Sequence, residues 1–562
     1  MVEVSEDLLR AYALENALKY KGKANEKAVL AGLFSEGLDK SEIKKYIPSI
    51  VEMVEQVNKL SIKEQKETLE TLDKKTSKRE VREGLPELEN VGSKGVVMRF
   101  APFPSGPLHI GNTRVLILND EYVKRYGGKL LLVMDDTLGS EKKPIEPEAY
   151  DLIEEGARWL GAKIEKEIYY KSDRIEKYYE YAEELLKKSY MYICDCEAEE
   201  RRELKAKGIA CGCRQMGSEE QIERWEKMFK AEEGSMCARL KTSMSDPDPA
   251  FRDRIMFRVS DRKHAKLGNK YRVYPLLDFS WAIDDHFFGI THILRGMELA
   301  METRIEKFIW DIFGWKHPEV IYNGHFELEG VKISKSKGAQ EVKSGTYEGW
   351  NDPRLWSVQS LRDRGIKKEA IRQFIIDMGL KKTNIKSPVD VLYSINRKLL
   401  ENTKKYFFVE DPEKIKIRGC PELDVNVLYN LNRKVGSRRF STKGSFFVSK
   451  KDYDSIKDKT YRLLHLLNFK VDNVVKLKPK DFSFLSTEPI SDRGLKFIHW
   501  LPANEENVKI EVVMTDASRV EGLGEASLRK LKEGAIVQFE RFGYVRLHKK
   551  EVDKMEFRFA HK

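Results

Sequence analysis

The chain has 562 residues, of which 41% are apolar and 34% charged. At roughly 100–200 residues per domain this length predicts three to five domains, and 26 Phe, 23 Tyr and 8 Trp exclude a disordered chain. The net charge of +11 is uneven: residues 401–562 hold 33 Lys and Arg against 24 Asp and Glu, a balance of +9, which suits a polyanionic partner such as nucleic acid or else a solubilising surface.

No run of 18 apolar residues predicts a membrane span. The start, MVEVSEDLLR, is acidic and has no apolar signal core, so export is not expected. Six cysteines in a chain this long do not make a disulfide framework. Together these readings predict a protein of a reducing, cytoplasmic compartment.

In chain order, AYALENALKYKG carries apolar groups at helical spacing and ends in a Gly stop. Ser61 and Glu64 have the spacing of a capping box ahead of another polar helix. A charged linker over 74–94 then closes a helical N-terminal extension, 1–94. From 95 the pattern changes. GVVMRFAP reads as a strand, PFPSGP as a turn-rich loop, and TRVLILNDEYVKRYGG as a helix with Val115, Leu118, Tyr122 and Tyr126 on one face. KLLLVMDDT is a short continuous apolar run, the pattern of a buried parallel strand. This β-α-β unit puts its loop at the carboxyl end of the first strand, where open parallel sheets bind ligands.

Residues 185–275 break the alternation and read as an inserted subdomain; residues 276–345 return to apolar strands and helices, ending in GVKISKSKG. Residues 346–406 read as helical. From 407 to 562 short β-rich runs dominate (FFVSK, IEVVMT, AIVQFERFGYVRL, MEFRFAHK), which suggests barrels.

Two loops carry the chemistry. In the first, Pro104, Ser105, Gly106, Pro107, Leu108, His109, Ile110, Gly111 and Asn112 run from a strand into a helix. The helix N-terminus offers N–H groups to a phosphate, His109 adds a donor, and Gly111 lets a flat base approach the backbone. The second is the basic loop Lys332, Ile333, Ser334, Lys335, Ser336, Lys337, Gly338.

PSGPLHIGN resembles the HIGH signature, and KISKS the KMSKS signature, of class I aminoacyl-tRNA synthetases. VVMRFAPFPSGPLHIGNTR and GITHILRGMEL resemble the glutamyl/glutaminyl subgroup. FIHWLPANEENVKIEVVMTDASRVEGLGEASLRKLKEGAIVQFERFGYVRL is similar to the β-barrel anticodon-binding region of archaeal-type glutamyl and of glutaminyl enzymes. The resemblance covers 95–562.

The resemblance implies a multidomain α/β protein. A Rossmann-like catalytic domain spans 95–345, with an acceptor-binding insertion at 185–275. A helical stem-contact region follows at 346–406, and β-barrels for the anticodon at 407–562. It implies ATP with Mg²⁺, L-glutamate and tRNA(Glu) as substrates, with tRNA(Gln) left open as a second acceptor. It also implies roles. His109 hydrogen-bonds the reacting phosphate and Lys335 holds the pyrophosphate end, with Lys332 beside it. Pro104, Ser105, Gly106, Gly111, Asn112, Ser334 and Ser336 complete the ATP site. Arg99 reaches the amino-acid side chain, Asp135 takes the substrate ammonium group, and Arg295 stands where glutamyl enzymes place an Arg. Departures are Asn112 for the second signature histidine, Phe103 for a pocket Ser, and Leu277 and Trp281 for Tyr and Asn or His. The rival readings are a glutamine–tRNA ligase, a tRNA-binding protein without activity, and a small nucleotidyltransferase.

Cys194-x-Cys196 and Cys211-x-Cys213, fourteen residues apart, are two close thiol pairs that suit tetrahedral Zn²⁺ in a structural role, or else remain four reduced cysteines. Cys237 and Cys420 read as packing residues.

Overall fold

A computed structural model of the chain describes residues 4–562 apart from 36, 37, 39–41, 73–83, 139, 141, 142, 332–334, 432–434, 458, 474–479, 491–494, 504 and 505. Two compact units emerge, Met1–Pro86 and Glu87–Lys562. The first holds helices α1 (Glu6–Lys19), α2 (Glu26–Ser35), α3 (Ile43–Lys59) and α4 (Ile62–Thr71). Ser61 and Glu64 make both halves of the capping box ahead of α4, as the spacing predicts. The core of this unit is Leu9, Leu14, Val29, Leu33, Met53 and Val57. Gln65 is fully buried at its edge, where its Nε2 donates to the carbonyls of Gly22 (2.9 Å) and Val57 (3.0 Å) and so satisfies backbone the helices leave open.

The second unit opens with β1 (Val96–Phe100), α5 (Ile110–Tyr126) and β2 (Gly128–Met134), then α6 (Pro147–Trp159), β3 (Ile164–Tyr170) and α7 (Ile175–Lys187). Strands β1, β2 and β3 are parallel, with Val96 opposite Gly128 and Leu130 opposite Ile164. The next stretch is a four-stranded antiparallel sheet of β4 (Met191–Cys194), β5 (Cys237–Leu240), β6 (Ile255–Val259) and β7 (Val273–Pro275). Between β4 and β5 lie α8 (Ala198–Lys207) and α9 (Ser218–Met228). The chain then resumes with α10 (Leu277–Phe287), β8 (His292–Gly296), α11 (Ala300–Phe313) and β9 (Glu319–Asn323), with β8 parallel to β9.

Thr291 joins the two parallel groups. Its N–H donates to Val97 O and its Oγ1 accepts from Val97 N, each at 2.9 Å. The spatial order is therefore β3-β2-β1-β8-β9, and the winding reverses between β1 and β8. Such a reversal opens a crevice in a parallel sheet, and ligands bind there, outside the carboxyl ends of those two strands.

After β9 come β10 (Phe326–Glu329), α12 (Lys335–Lys343), α13 (Val358–Arg364), α14 (Lys368–Met378), β11 (Ile385–Pro388) and α15 (Val389–Leu399). The stretch read as helical thus contains a strand, β11, which runs parallel to β10 with Phe326 opposite Ile385. Helix α5 is also buried more widely than one face: Thr113, Arg114, Asn119 and Asp120 are inside as well. The sheet covers one side of it and α14 packs on another, so polar groups that look solvent-facing in the sequence end up paired inside. Arg114 donates to the carbonyls of Gly324 (2.8 Å) and Gly379 (3.0 Å).

Among the described residues the C-terminal part forms two seven-stranded sheets, each around its own core. One begins with Lys405–Tyr406 and Phe408–Glu410 and is finished by five strands between Val508 and His561. The other is built wholly from strands between Pro412 and Pro502. The chain leaves the first sheet half-made, builds the second, and returns. No helix among the described residues is long and apolar enough to cross a membrane.

Candidate active site and cysteine cluster

The loop after β1 is held by backbone bonds from three other segments. Asp135 N donates to Pro102 O (3.0 Å), Glu146 N to Pro104 O (2.9 Å), and Val358 N to Leu108 O (2.8 Å). His109 ends the loop as the N-cap of α5. Its Nδ1 accepts from the N–H groups of Gly111 (3.0 Å) and Asn112 (3.3 Å). A neutral imidazole whose Nδ1 accepts carries its hydrogen on Nε2, so the cap fixes the tautomer and makes the ring's other edge a donor. Gly111 is bound to this geometry. A Cβ there would lie 2.9 Å from His109 Cε1 and 3.0 Å from Nδ1. The sequence reading gives the missing side chain to an approaching base; in the structure the His109 ring occupies that space. Pro104, Ser105 and Gly106 are buried in the loop, and Ser105 Oγ and Asn112 Oδ1 have no hydrogen-bond partner among the described residues.

A cavity of about 660 Å³ opens at the carboxyl ends of β1 and β8, lined among others by Arg99, Phe103, His109, Trp281 and Arg295. Arg99 and Arg295, which the sequence places here, each already have an acid, and so does Lys171. Arg99 grips both oxygens of Asp285 on α10, with Nη2–Oδ2 at 2.8 Å. Arg295 Nη1 donates to Glu306 Oε1 (2.9 Å) and Oε2 (2.7 Å) on α11 and to Thr303 Oγ1 (3.0 Å). Asp135 pairs with Lys171 Nζ at 3.0 Å, and Lys171 also donates to Ser280 Oγ at 3.0 Å. All three pairs are buried.

Their common neighbour is Trp281. Its ring centroid lies 4.5 Å from Arg99 Cζ, 4.6 Å from Arg295 Cζ and 4.7 Å from Lys171 Nζ. Burial works against the charge on Arg99, but the Asp285 carboxylate outweighs it and holds the guanidinium's pKa above its usual value. Lys171, fully enclosed, is shifted down by burial despite Asp135. Burial pushes the Glu306 carboxyl up to about 7, against the pull of Arg295. Asp136 turns away from Asp135 and accepts from Tyr150 (2.9 Å) and from Ser172 N (2.9 Å) and Oγ (2.7 Å).

The sequence reading misses Lys171, Asp285 and Glu306. The signal for them is a charge count: two arginines brought to an enclosed pocket require acids, and Asp284-Asp285 falls one helical turn after Trp281. Phe103 lines the cavity beneath Lys143 Nζ, 4.8 Å from its ring centroid, and Leu277 begins α10. Of the second signature, Lys332 and Ser334 lie outside the described residues, as do the side chains of Lys335 and Ser336, which begin α12.

In the insertion, Cys194, Cys196, Cys211 and Cys213 bring their sulfurs within 4.8 Å of one another. Cys194–Cys211 is 3.9 Å and Cys196–Cys213 is 3.6 Å. A tetrahedron of thiolates about 2.3 Å from a central Zn²⁺ has sulfur–sulfur edges of about 3.8 Å, so the donor set fits that ion. Arg239 Nη1 donates to Cys194 and Cys211, and Arg224 Nη2 to Cys213, each at 3.8 Å. Such donors stabilise thiolate charge. The hydrogen bond with Cys194, together with burial, pushes the Cys211 thiol up to about 12. Cys237, opposite Cys194 on β5, is buried in the same cluster.

Residues 95–402 match the family described as tRNA synthetases class I (E and Q), catalytic domain. Residues 403–484 and 497–548 match two families of their anti-codon binding domains. A glutamate–tRNA ligase of Methanocaldococcus jannaschii is 40% identical to this chain over 560 residues, 99% of this chain and 100% of that one. One of Pyrococcus abyssi is 42% identical over 569 residues, 98% of each. One of Methanothermobacter thermautotrophicus is 38% identical over 567 residues, 99% of each.

Proposed function

The chain belongs to the class I tRNA synthetases of the glutamate and glutamine group, and we propose that it is a glutamate–tRNA ligase working from the cavity between β1 and β8. In the first step the α-carboxylate of glutamate attacks the α-phosphorus of ATP, an O–P bond forms, and pyrophosphate leaves. In the second, a hydroxyl of the terminal tRNA adenosine attacks the carbonyl carbon of the mixed anhydride and AMP leaves. The attacking carboxylate is already ionised, so the first step asks the protein for positioning and charge stabilisation rather than for a nucleophile.

What carries the reading is that one cavity brings Arg99, His109 and Arg295 together from three separate segments at the switch point of the sheet. With its hydrogen on Nε2, His109 donates to the phosphate during attack. Pro104, Ser105, Gly106, Gly111 and Asn112 form the ATP side, and Lys332, Ser334, Lys335 and Ser336 are assigned to the pyrophosphate end. Mg²⁺ enters with the nucleotide as part of the substrate. Asp135 takes the substrate ammonium group with a carboxylate that Lys171 also holds.

The charge logic at the side-chain end is set by donors. Both arginines are internally neutralised, so glutamine is not refused merely for leaving a bare guanidinium. Arg295 Nε and Nη2 and Trp281 Nε1 are buried N–H donors without a partner among the described residues. A carboxylate accepts from such groups, whereas the amide nitrogen of glutamine would meet donors with its own donors. Residues 1–94, 95–345, 346–406 and 407–562 are read as extension, catalytic domain with its 185–275 insertion, stem-contact region and anticodon region. The four-cysteine cluster holds a structural Zn²⁺. The acceptor is tRNA(Glu), with tRNA(Gln) as the finer question.

Amino-acid-dependent exchange of pyrophosphate into ATP, run with tRNA present, tests this reading. Exchange driven by glutamate and not by glutamine is expected. Exchange driven by glutamine alone would replace it with the glutamine–tRNA ligase.

A further inference from the structure

Three buried ion pairs surround one indole. Arg99–Asp285, Arg295–Glu306 and Lys171–Asp135 come from six positions on β1, α10, β8, α11, the segment after β3 and the end of β2. Their acids hydrogen-bond their own cations. What the cations share is the Trp281 ring, at 4.5–4.7 Å from each. Each cation is neutralised by its own acid, but three cationic groups crowded around one ring still repel one another locally, and little water screens them there. An electron-rich aromatic face placed among them offsets part of that repulsion and sets where each cation stands. Trp281 is itself 6% exposed and lines the cavity beside Arg99 and Arg295.

Resting on the assignment of this cavity to glutamate, we infer that Trp281 is a positioning residue that determines specificity. Its ring fixes the Arg99, Lys171 and Arg295 cations in the array that takes the anionic side chain of the amino acid. Arg99 and Arg295 line the cavity and meet the carboxylate directly; Lys171, fully buried and outside that lining, holds Asp135 and completes the array, so one ring sets all three cations. At this position a polar residue would hydrogen-bond one group; an indole organises three. The ring acts through the cations, and loss of its π face spreads them without removing any charge.

Trp281→Leu and Trp281→Phe in the full-length protein separate this from simple packing. The leucine variant is expected to raise the KM for glutamate ~30-fold or more, with kcat changed less than ~5-fold and the KM for ATP less than ~2-fold. Its preference for glutamate over glutamine should narrow ~10-fold. Phenylalanine keeps a weaker π face and should raise the glutamate KM only ~3–5-fold. Trp281→Met, of nearer volume, gives the same readout if the leucine variant does not melt like the parent. A non-aromatic variant with the parent's glutamate KM overturns the inference. So does a phenylalanine variant as impaired as leucine, or a loss spread equally over ATP and glutamate. Wild-type protein that does not activate glutamate at all overturns the underlying assignment as well.

Discussion

The pocket around Trp281 and the cysteine cluster of the insertion are both buried gatherings of like groups, and they balance charge in opposite ways. In the pocket, Arg99, Lys171 and Arg295 each bring an acid from a neighbouring element. The array is complete before any substrate arrives, which is preorganisation: its ordering is a property of the fold. The four thiols of the cluster have arginine donors around them, yet two arginines do not balance four thiolates. Their ionisation calls for a cation from outside. On the proposed reading the pocket discriminates and the cluster holds the insertion together.

The largest test of this contrast removes one member of the cluster. Cys211→Ser is expected to abolish stoichiometric zinc in freshly purified, reduced protein and to lower the melting temperature of the insertion, because binding energy at such a site is folding energy. Wild-type protein without zinc by metal analysis would leave four reduced cysteines as the better description.

Arg295→Ala attacks the other side of the contrast. It strands Glu306 without its cation, and breaking a buried pair in this way costs about 3–5 kcal/mol. Glutamate activation should fall with it, and the preference over glutamine should narrow. Adding Glu306→Gln should recover stability while leaving activation low, which a double-mutant cycle by denaturant unfolding and pyrophosphate exchange would separate.

Gly111→Ala is a smaller lesion aimed at the phosphate side. Its Cβ would press on the His109 ring. We expect activation to slow by about 2–3 kcal/mol of transition-state stabilisation with the glutamate KM little moved, the reverse of the Trp281 variants. A normal rate in Gly111→Ala would mean that the His109 tautomer does not matter to the reaction.

A pH dependence tests the same pairing without removing a cation. Glu306 is lifted from 4.5 to about 7 by burial. The folded protein therefore holds this proton more tightly than the unfolded chain does. The stability it contributes is full below pH 4.5 and is lost as pH rises toward about 7. Glu306→Gln should flatten that part of the melting profile. An unchanged profile would place the titration elsewhere.

How much of this was legible in the sequence follows the range of the interactions. The capping box at Ser61 and Glu64 is local, and its spacing alone predicts it; the strand and helix on either side of the first loop are also legible, but the exact ends at Phe100 and Ile110 and the cap by His109 are not. The pairing of β11 with β10 is not legible, because Pro388 and Lys386 carry no strand signal and register comes from His325 and Phe326 some sixty residues earlier. The interrupted first seven-stranded sheet is hidden for the same reason: its strands lie on both sides of a complete second sheet. In the site, motif residues were identifiable while their counter-ions were not. Asp285 and Glu306 belong to helices whose role appears only when α10 and α11 close over the carboxyl ends of β1 and β8. That a Cβ at Gly111 would meet the His109 ring is equally a contact that no spacing shows.

Charging purified tRNA with labelled amino acid measures the assigned reaction itself. The wild-type protein with ATP and Mg²⁺ should attach glutamate to tRNA(Glu) and leave glutamine free in solution, and separate tRNA(Gln) in the same assay decides whether it is a second acceptor. Attachment of glutamine to tRNA(Gln) with no glutamate charged to either tRNA would contradict the account.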